Sequence, residues 1–243
     1  NLIKSAKETG KTYSSAKWVK SRQDLKVLIV SYRVSLLTSL AKQFDAQFYQ
    51  DLIIAGTDNS YLKGANRLVI TPDSLWRIAG TRWDVVFVDE AEQTLQHFLS
   101  STMKHKTFNL DVFSDVLRTS CTQIVADADL SDLTTDFMER INLHSGFYHI
   151  NHHKPRTGST LYVYDDISHL EQQAMRWFAE GANQFICSNS KKRIDNLARQ
   201  LDKAGWKWGK EYAHVSSDNS QTNEVQSLIE NINNRAPELR GLL

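Results

Sequence analysis

Two cysteines in 243 residues are too few for a disulfide framework or a cysteine-rich zinc site. Cys121 and Cys187 each sit in an apolar run of strand length and are expected to be buried thiols. No stretch reaches the roughly eighteen consecutive apolar residues of a membrane-spanning helix. The start lacks the basic-then-apolar pattern of a secretory signal, so neither a membrane protein nor a secreted one is expected. An excess of charge is missing too: 29 Lys and Arg face 28 Asp and Glu, leaving a net charge of +1. Global charge is thus no argument for a nucleic-acid partner, although a local basic track can hide in a neutral total. There is no internal repeat and no low-complexity tract. What remains is ordinary for a globular protein, with 41% hydrophobic and 23% charged residues and a length sufficient for one large α/β domain or two unequal ones.

The apolar pattern alternates strand-length runs with helix-length ones. Leu2 and Ile3 read as the end of a short strand, followed by a loop and a helix over about 12–21. Strands are expected at 26–31, 67–70, 84–88 and 122–126, and helices near 33–43, 71–79, 91–99, 109–119 and 131–140. Such alternation predicts a mostly parallel sheet covered on both faces. Composition shifts at 142–159, where Lys154-Pro155-Arg156-Thr157-Gly158 reads as a linker. A second series follows, with strands at 160–164, 184–187 and 212–215 and helices at 168–180, 190–204 and 222–233. The division is therefore 1–150 and 151–243. Asn1 in place of Met, and a loop that begins within ten residues of it, suggest a fragment of a larger protein. The thin second series suggests truncation at the other end as well.

The first loop carries chemistry. Ser5-Ala6-Lys7-Glu8-Thr9-Gly10-Lys11-Thr12 matches the second half of the phosphate-loop pattern G-x-x-x-x-G-K-[ST], with Ser5 in place of the first glycine. Gly10 permits a tight backbone approach, and successive N–H groups at a helix start can cradle phosphate oxygens. Lys11 can reach the terminal phosphates of ATP, and the Thr12 hydroxyl can hold Mg2+. Glu8 is an awkward neighbour for a triphosphate. The bland alternative is a surface strand-to-helix turn.

Asp89 and Glu90 end the run Asp84-Val85-Val86-Phe87-Val88. At the C-terminal edge of a parallel strand, Asp89 can bind Mg2+ directly or through water, and Glu90 can polarise the attacking water. Two acids ending a strand at the surface would be the bland alternative. Occurring with the phosphate loop, the pair points to an ATPase.

Val88-Asp89-Glu90-Ala91-Glu92-Gln93 resembles the Asp-Glu-Ala-x box of superfamily 2 helicases, and other segments follow in that family's order. Val30-Ser31-Tyr32-Arg33 resembles the segment bearing a nucleic-acid-contacting arginine, and Ile70-Thr71-Pro72-Asp73-Ser74-Leu75 resembles a later contact segment. Ala126-Asp127-Ala128-Asp129-Leu130 stands at the coupling motif, in a form similar to the helicase region of viral origin-binding proteins and of related plasmid and phage replication helicases. Cys187-Ser188-Asn189-Ser190 and Ser216-Ser217-Asp218-Asn219-Ser220 continue the likeness into a second lobe. The resemblance implies tandem RecA-like P-loop domains, the second truncated, and an ATP- and Mg2+-dependent translocase or helicase of DNA replication. It implies catalytic roles for Lys11, Asp89 and Glu90, coupling by Asp127 and Asp129, and nucleic-acid contacts from Arg33, Thr71, Ser74, Ser188 and Asn189. Single-stranded DNA and replication proteins are the implied partners, and the cytoplasm or a site of viral or plasmid DNA replication the implied location. Further motifs, including an arginine-bearing helix that completes the ATP site, would follow residue 243.

Alternatives stay open. Arg33 can be a solvated cation at a helix start, and Lys191-Lys192-Arg193 a solvated face. Asp127 and Asp129 can simply cap the following helix. His144, His149, His152 and His153 match no familiar ligand spacing and read as structural or incidental. Trp76, Trp83, Trp177, Trp206 and Trp208 read as packing residues more than as base-stacking platforms. A degenerate RecA-like module that binds nucleotide or protein without efficient turnover is the competing function. A small-molecule phosphotransferase is a weaker one.

Overall fold

The structure is a computed structural model that describes all residues except 55–58, 142–145, 154–159, 217, 220–221, 232–238, 240 and 243. It forms two compact units, Asn1–Ser159 and Thr160–Leu243.

In the first unit the chain runs β1 (Leu2–Ser5), α1 (Lys11–Lys20), β2 (Val27–Val30), α2 (Val34–Phe44), β3 (Gln47–Phe48), α3 (Tyr49–Ile54), α4 (Asn59–Gly64) and β4 (Arg67–Ile70). A 3-10 helix (Pro72–Ile78) follows, then β5 (Val85–Asp89), α5 (Ala91–His97), α6 (Lys106–Thr119), β6 (Thr122–Asp127), α7 (Asp132–Ile141) and β7 (Tyr148–Asn151). The seven strands form one parallel sheet in the order β3-β4-β2-β5-β6-β1-β7. Strands β2, β4 and β5 are buried along their whole length. That is why Val-Leu-Ile-Val and Val-Val-Phe-Val run without polar alternation: both faces are covered by helices. Helix α2 shows the complementary pattern, burying Leu37, Leu40 and Phe44 on one face.

The register sets the functional edge. Ala126 of β6 lies opposite Ile3 of β1 on one side and Asp89 of β5 on the other. The C-terminal ends of β1 and β5 thus flank a single strand, about 10 Å apart at ordinary strand spacing.

The second unit contains α8 (Ile167–Ala179), β8 (Gln184–Phe185), α9 (Lys191–Lys203), β9 (Tyr212–Ala213), α10 (Asn223–Glu230) and β10 (Gly241–Leu242). Its three strands pair in parallel in the order β8-β10-β9. Ile194, Leu197, Ala198 and Leu201, spaced for one face of α9, pack with Phe178 and Tyr212 as its core.

Several expectations are corrected. Residues 148–151, in the stretch where composition shifts and where no element was expected, form the seventh strand; all four residues of this edge strand are exposed, and two alternating pairs, Tyr148-His149 and Ile150-Asn151, are too short a pattern to announce it. The segment 160–164 is not a strand, and Leu161 and Val163 are 86% and 80% exposed. Its β-branched and aromatic composition mimics a strand without a partner to pair with among the described residues. Cys121 and Cys187 are both exposed, because Cys121 precedes the first residue of β6 and Cys187 follows the two-residue β8. The helix expected at 71–79 is a 3-10 helix opened by Pro72. Strands 184–187 and 212–215 shrink to two residues each. Elements β3, α3 and α4 carried no readable period. The Lys154–Gly158 stretch, His144, Ser217, Ser220 and the end of the helix expected at 222–233 lie outside the described residues.

One buried amide holds the 3-10 helix to the unit. Asn109 of α6 is fully buried; its Oδ1 accepts from the Trp76 N–H at 2.8 Å, and its Nδ2 donates to the carbonyls of Asp73 and Lys104 at 3.2 and 3.1 Å. Asn109→Ala leaves that N–H without its side-chain acceptor and two carbonyls without donors. A destabilisation of about 2–3 kcal/mol is expected, measured as a lowered urea midpoint with an unchanged slope.

Candidate functional site

The loop after β1 is shaped by a chain of short polar contacts. Ser5 is the last residue of β1 and is buried. Its Oγ accepts from Asn151 Nδ2 at 3.1 Å and lies 2.5 Å from Thr9 Oγ1, which donates to the Ala6 carbonyl at 2.6 Å. A hydroxyl has one proton, so Ser5 donates to Thr9 and the Thr9 proton goes to Ala6. A serine in place of the first glycine therefore ties the loop to itself and to β7. Glu8 and Gly10 both adopt left-handed backbone, at φ 63° and 83°, and Gly10 leads directly into α1. No side chain caps α1, and no acid lies in its first turn. Its leading N–H groups are oriented as an anion cradle. Lys11 Nζ lies back across the loop, 3.4 Å from the Ser5 carbonyl.

Thr12 and Asp89, far apart in sequence, meet: the Thr12 hydroxyl donates to Asp89 Oδ1 at 3.3 Å. Asp89 is only 7% exposed. Burial, with the negative charge of Glu90 beside it, lifts its carboxyl to about 6, against the smaller opposing pull of Lys11 and Thr12. Glu90 is the N-cap of α5 and again left-handed, at φ 48°. That turn redirects the chain at the strand end and leaves the Glu90 side chain half-buried.

Asp127, at the end of β6, is 1% exposed. Its two oxygens accept the backbone N–H groups of Glu92 at 2.8 Å and Asp129 at 2.9 Å. Asp127 thus joins the first turn of α5 to the loop before α7. Glu92 closes the same loop: its carboxylate accepts from Ser131 N at 3.1 Å, Ser131 Oγ at 2.6 Å and Thr134 Oγ1 at 2.7 Å. Burial would raise the Glu92 carboxyl, but these donors outweigh it and hold it below its ordinary value. Sequence reasoning assigned Glu92 no role of its own. The signal was its place three residues after Asp89, on the first turn of a helix and with hydroxyl residues waiting at 131 and 134. Asn151 was missed for want of any pattern around it. Asp129 is exposed, and α7 is capped by Ser131, whose Oγ accepts from Leu133 N at 3.2 Å, not by Asp127.

The nucleic-acid candidates divide. Arg33 is exposed at the N-cap of α2, its guanidinium over the Tyr32 ring at 5.1 Å and its Nε donating to the Tyr32 hydroxyl. Thr71 is buried, its hydroxyl engaged with Tyr49 at 3.2 Å and Ser74 at 3.4 Å, which leaves Ser74 the more accessible of the two. In the second unit Ser188 and Asn189 are exposed just before α9, with Ser188 Oγ accepting from Ser190 N at 3.0 Å. Two members of the basic run beside them are paired: Lys191 with Asp195 and Asp218, and Arg193 with Glu171. Trp83 is buried; Trp76, Trp177 and Trp206 are half-buried. Only Trp208 among the five singled out is exposed. His149, His152 and His153 are exposed, and among the described residues no group of three or more His, Cys, Asp or Glu is placed to hold a metal ion.

Known proteins resemble this chain in sequence and in fold. A putative helicase of Acanthamoeba polyphaga mimivirus is 27% identical over 96% of the chain, and the replication origin-binding protein of varicella-zoster virus is 25% identical over 59% of it. The chain spans only 23% and 18% of those two proteins. Among solved structures, the Mycobacterium smegmatis helicase Lhr, bound to single-stranded DNA and AMP-PNP, aligns with all of this chain and 37% of its own at a TM-score of 0.57 and 14% identity. That likeness establishes the fold. A family model described as origin of replication binding protein matches residues 1–146, which include the phosphate loop, the Asp-Glu corner and the Asp127 turn. The chain belongs to the origin of replication binding protein family.

Proposed function

We propose that this chain is part of an ATP-driven nucleic-acid motor of DNA replication, hydrolysing ATP with Mg2+ while engaging single-stranded DNA. The contact between Thr12 and Asp89 carries the reading, because it joins the phosphate loop to the Asp-Glu corner at one edge of the sheet. The residues suit the absent groups. An uncapped α1 start and the left-handed turns at Glu8 and Gly10 offer N–H groups to phosphates. A buried carboxyl with a raised pKa, touching a threonine hydroxyl, suits a hard cation. Thr12 and Asp89 would hold Mg2+, which when bound neutralises charge on the phosphates of ATP. Lys11 binds the terminal phosphates in place of its present contact with the Ser5 carbonyl. Glu90 orients the attacking water and takes up its proton. Asp127 and Glu92 hold the α5 and α7 corners in register, which couples the strand ends to one another. Arg33, Ser74, Ser188 and Asn189, with Thr71 behind Ser74, position the backbone of the nucleic acid without reading its sequence.

The relatives named as a putative helicase and as a replication origin-binding protein, and the neighbour bound to single-stranded DNA and AMP-PNP, support this assignment. The competing reading is a nucleotide-binding module without efficient turnover, for which Glu8 beside the phosphate cradle is the favouring feature. ATP turnover by the full-length protein, with and without single-stranded DNA, separates the two. The motor reading expects stimulation by DNA. Glu90→Gln lowers kcat by about 10²–10⁴-fold while ATP still binds, and Lys11→Ala abolishes ATP binding. Tight ATP binding with no turnover on any nucleic acid would favour the module.

A second test uses the Asp89 carboxyl. A carboxyl raised in the folded protein keeps its proton after the unfolded chain has lost it. The stability this proton confers is present below about pH 4 and lost as pH rises from about 4 to about 6. Without Mg2+, Asp89→Asn matches the parent near about pH 4 and exceeds it by about 1–3 kcal/mol near about pH 7, read from urea unfolding across pH. Added Mg2+ narrows that gap by stabilising the parent alone.

A further inference from the structure

Asp73 and His97 connect two parts of the unit that the motor reading assigns to different ligands. His97 Nε2 lies 2.7 Å from Asp73 Oδ2. An ionised carboxylate only accepts, so His97 donates. Asp73 directly precedes Ser74 on the 3-10 helix, and the backbone of that helix is pinned to α6 through Asn109. His97 is the last residue of α5, the helix capped at its other end by Glu90. The seven residues of α5 span about 10 Å, so about two turns of helix link His97 to Glu90, and Thr94 Oγ1 between them donates to the Asp89 carbonyl at 3.2 Å. The Tyr32 ring stands 6.2 Å from the His97 ring, with the Arg33 guanidinium over its own ring at 5.1 Å. Segments following β2, β4 and β5 therefore converge on this pair. With side chains 43% and 23% exposed, Asp73 and His97 add little to stability. A hydrogen bond so placed biases position more than it holds the fold.

We propose that the Asp73–His97 hydrogen bond is a latch that restrains α5, and with it Glu90, until a nucleic-acid phosphate arrives beside Ser74. The inference rests on the motor reading above. A phosphate at Ser74 brings negative charge next to the Asp73 carboxylate and competes with it for the His97 N–H. Each effect weakens the latch and frees the C-terminal end of α5. Asp73 and His97 are then positioning residues, acting on hydrolysis through Glu90.

The test measures ATP turnover of the full-length protein with and without a single-stranded oligodeoxythymidylate, for the parent, Asp73→Ala, His97→Leu and His97→Gln. Both unlatched variants, Asp73→Ala and His97→Leu, are expected to raise DNA-free turnover by about fivefold or more toward the stimulated rate. Their half-activating DNA concentration falls in step, because the resting state no longer competes. His97→Gln, which can still donate to Asp73, behaves as the parent. A merely structural role does not produce a gain of turnover that a glutamine reverses. DNA-free turnover that stays at or below the parent level in both unlatched variants overturns the latch while leaving the motor reading intact. A parent with no turnover at all removes both.

Discussion

The burial of a carboxylate at the end of β5 is the constraint around which the first unit is organised. Val85 to Val88 are buried on both faces, so the strand delivers Asp89 into a place with little water. A carboxylate there has to be protonated, hydrogen-bonded or paired with a cation. The protein supplies the pull of Lys11, one hydroxyl from Thr12 and the backbone N–H of Glu90, and these together fall short of the cost of burial and of the Glu90 charge next to it. Asp127, one strand over, shows the opposite solution. It is more deeply buried, yet both of its oxygens accept backbone N–H groups, as befits a carboxylate that holds structure together. The sheet places two buried acids on neighbouring strand ends and satisfies only one of them from within. An under-satisfied acid beside an uncapped helix start is an arrangement that a cation and a phosphate would complete together.

Backbone conformation points the same way. Of the four non-glycine residues with left-handed backbone among the described residues, Glu8 and Glu90 lie on the two corners that meet at Thr12 and Asp89. Each costs of order 1–3 kcal/mol, and such strain persists where the surrounding structure over-determines it. At Glu8 the over-determination comes from the hydrogen-bonded ring of Ser5, Thr9 and Ala6, and at Glu90 from Asp127 gripping the next turn.

Much of this was legible in the sequence, for identifiable reasons. Strands buried on both faces announce themselves as unbroken β-branched runs, so β2, β4, β5 and β6 emerged within a residue or so of their observed limits. Gly10-Lys11-Thr12 and Asp89-Glu90 stood out because the chemistry proposed for them requires particular residue types at a strand-to-helix turn. The contact between Thr12 and Asp89 required the sheet order, which puts β6 between β5 and β1 and which no local pattern encodes. The edge strand β7 was lost because its four residues, Tyr148-His149-Ile150-Asn151, give only two periods of alternation inside a stretch of mixed composition. The run at 160–164 misled for the converse reason: its composition favours a strand, but pairing decides. Glu92 lay in plain view within the Asp-Glu-Ala-Glu box, and only the placement of Ser131 and Thr134 gave it a task.

That task bears on how the unit could transmit motion. Glu92 is hydrogen-bonded to the start of α7 by its side chain and to Asp127 by its backbone, so the first turn of α5 cannot shift without disturbing the loop after β6. Buried polar networks that are fully satisfied favour discrete arrangements over gradual ones, since a partly broken network leaves desolvated groups without partners. The C-terminal end of α5 is held differently, by a half-exposed pair that solvent or a phosphate can replace at small cost. Helix α5 is therefore clamped at the end that faces the strand edge and lightly held at the end that faces the 3-10 helix. A ligand acting on the loose end meets little resistance there, and its effect reaches Glu90 through a clamp whose neighbours must either keep their arrangement or adopt another complete one.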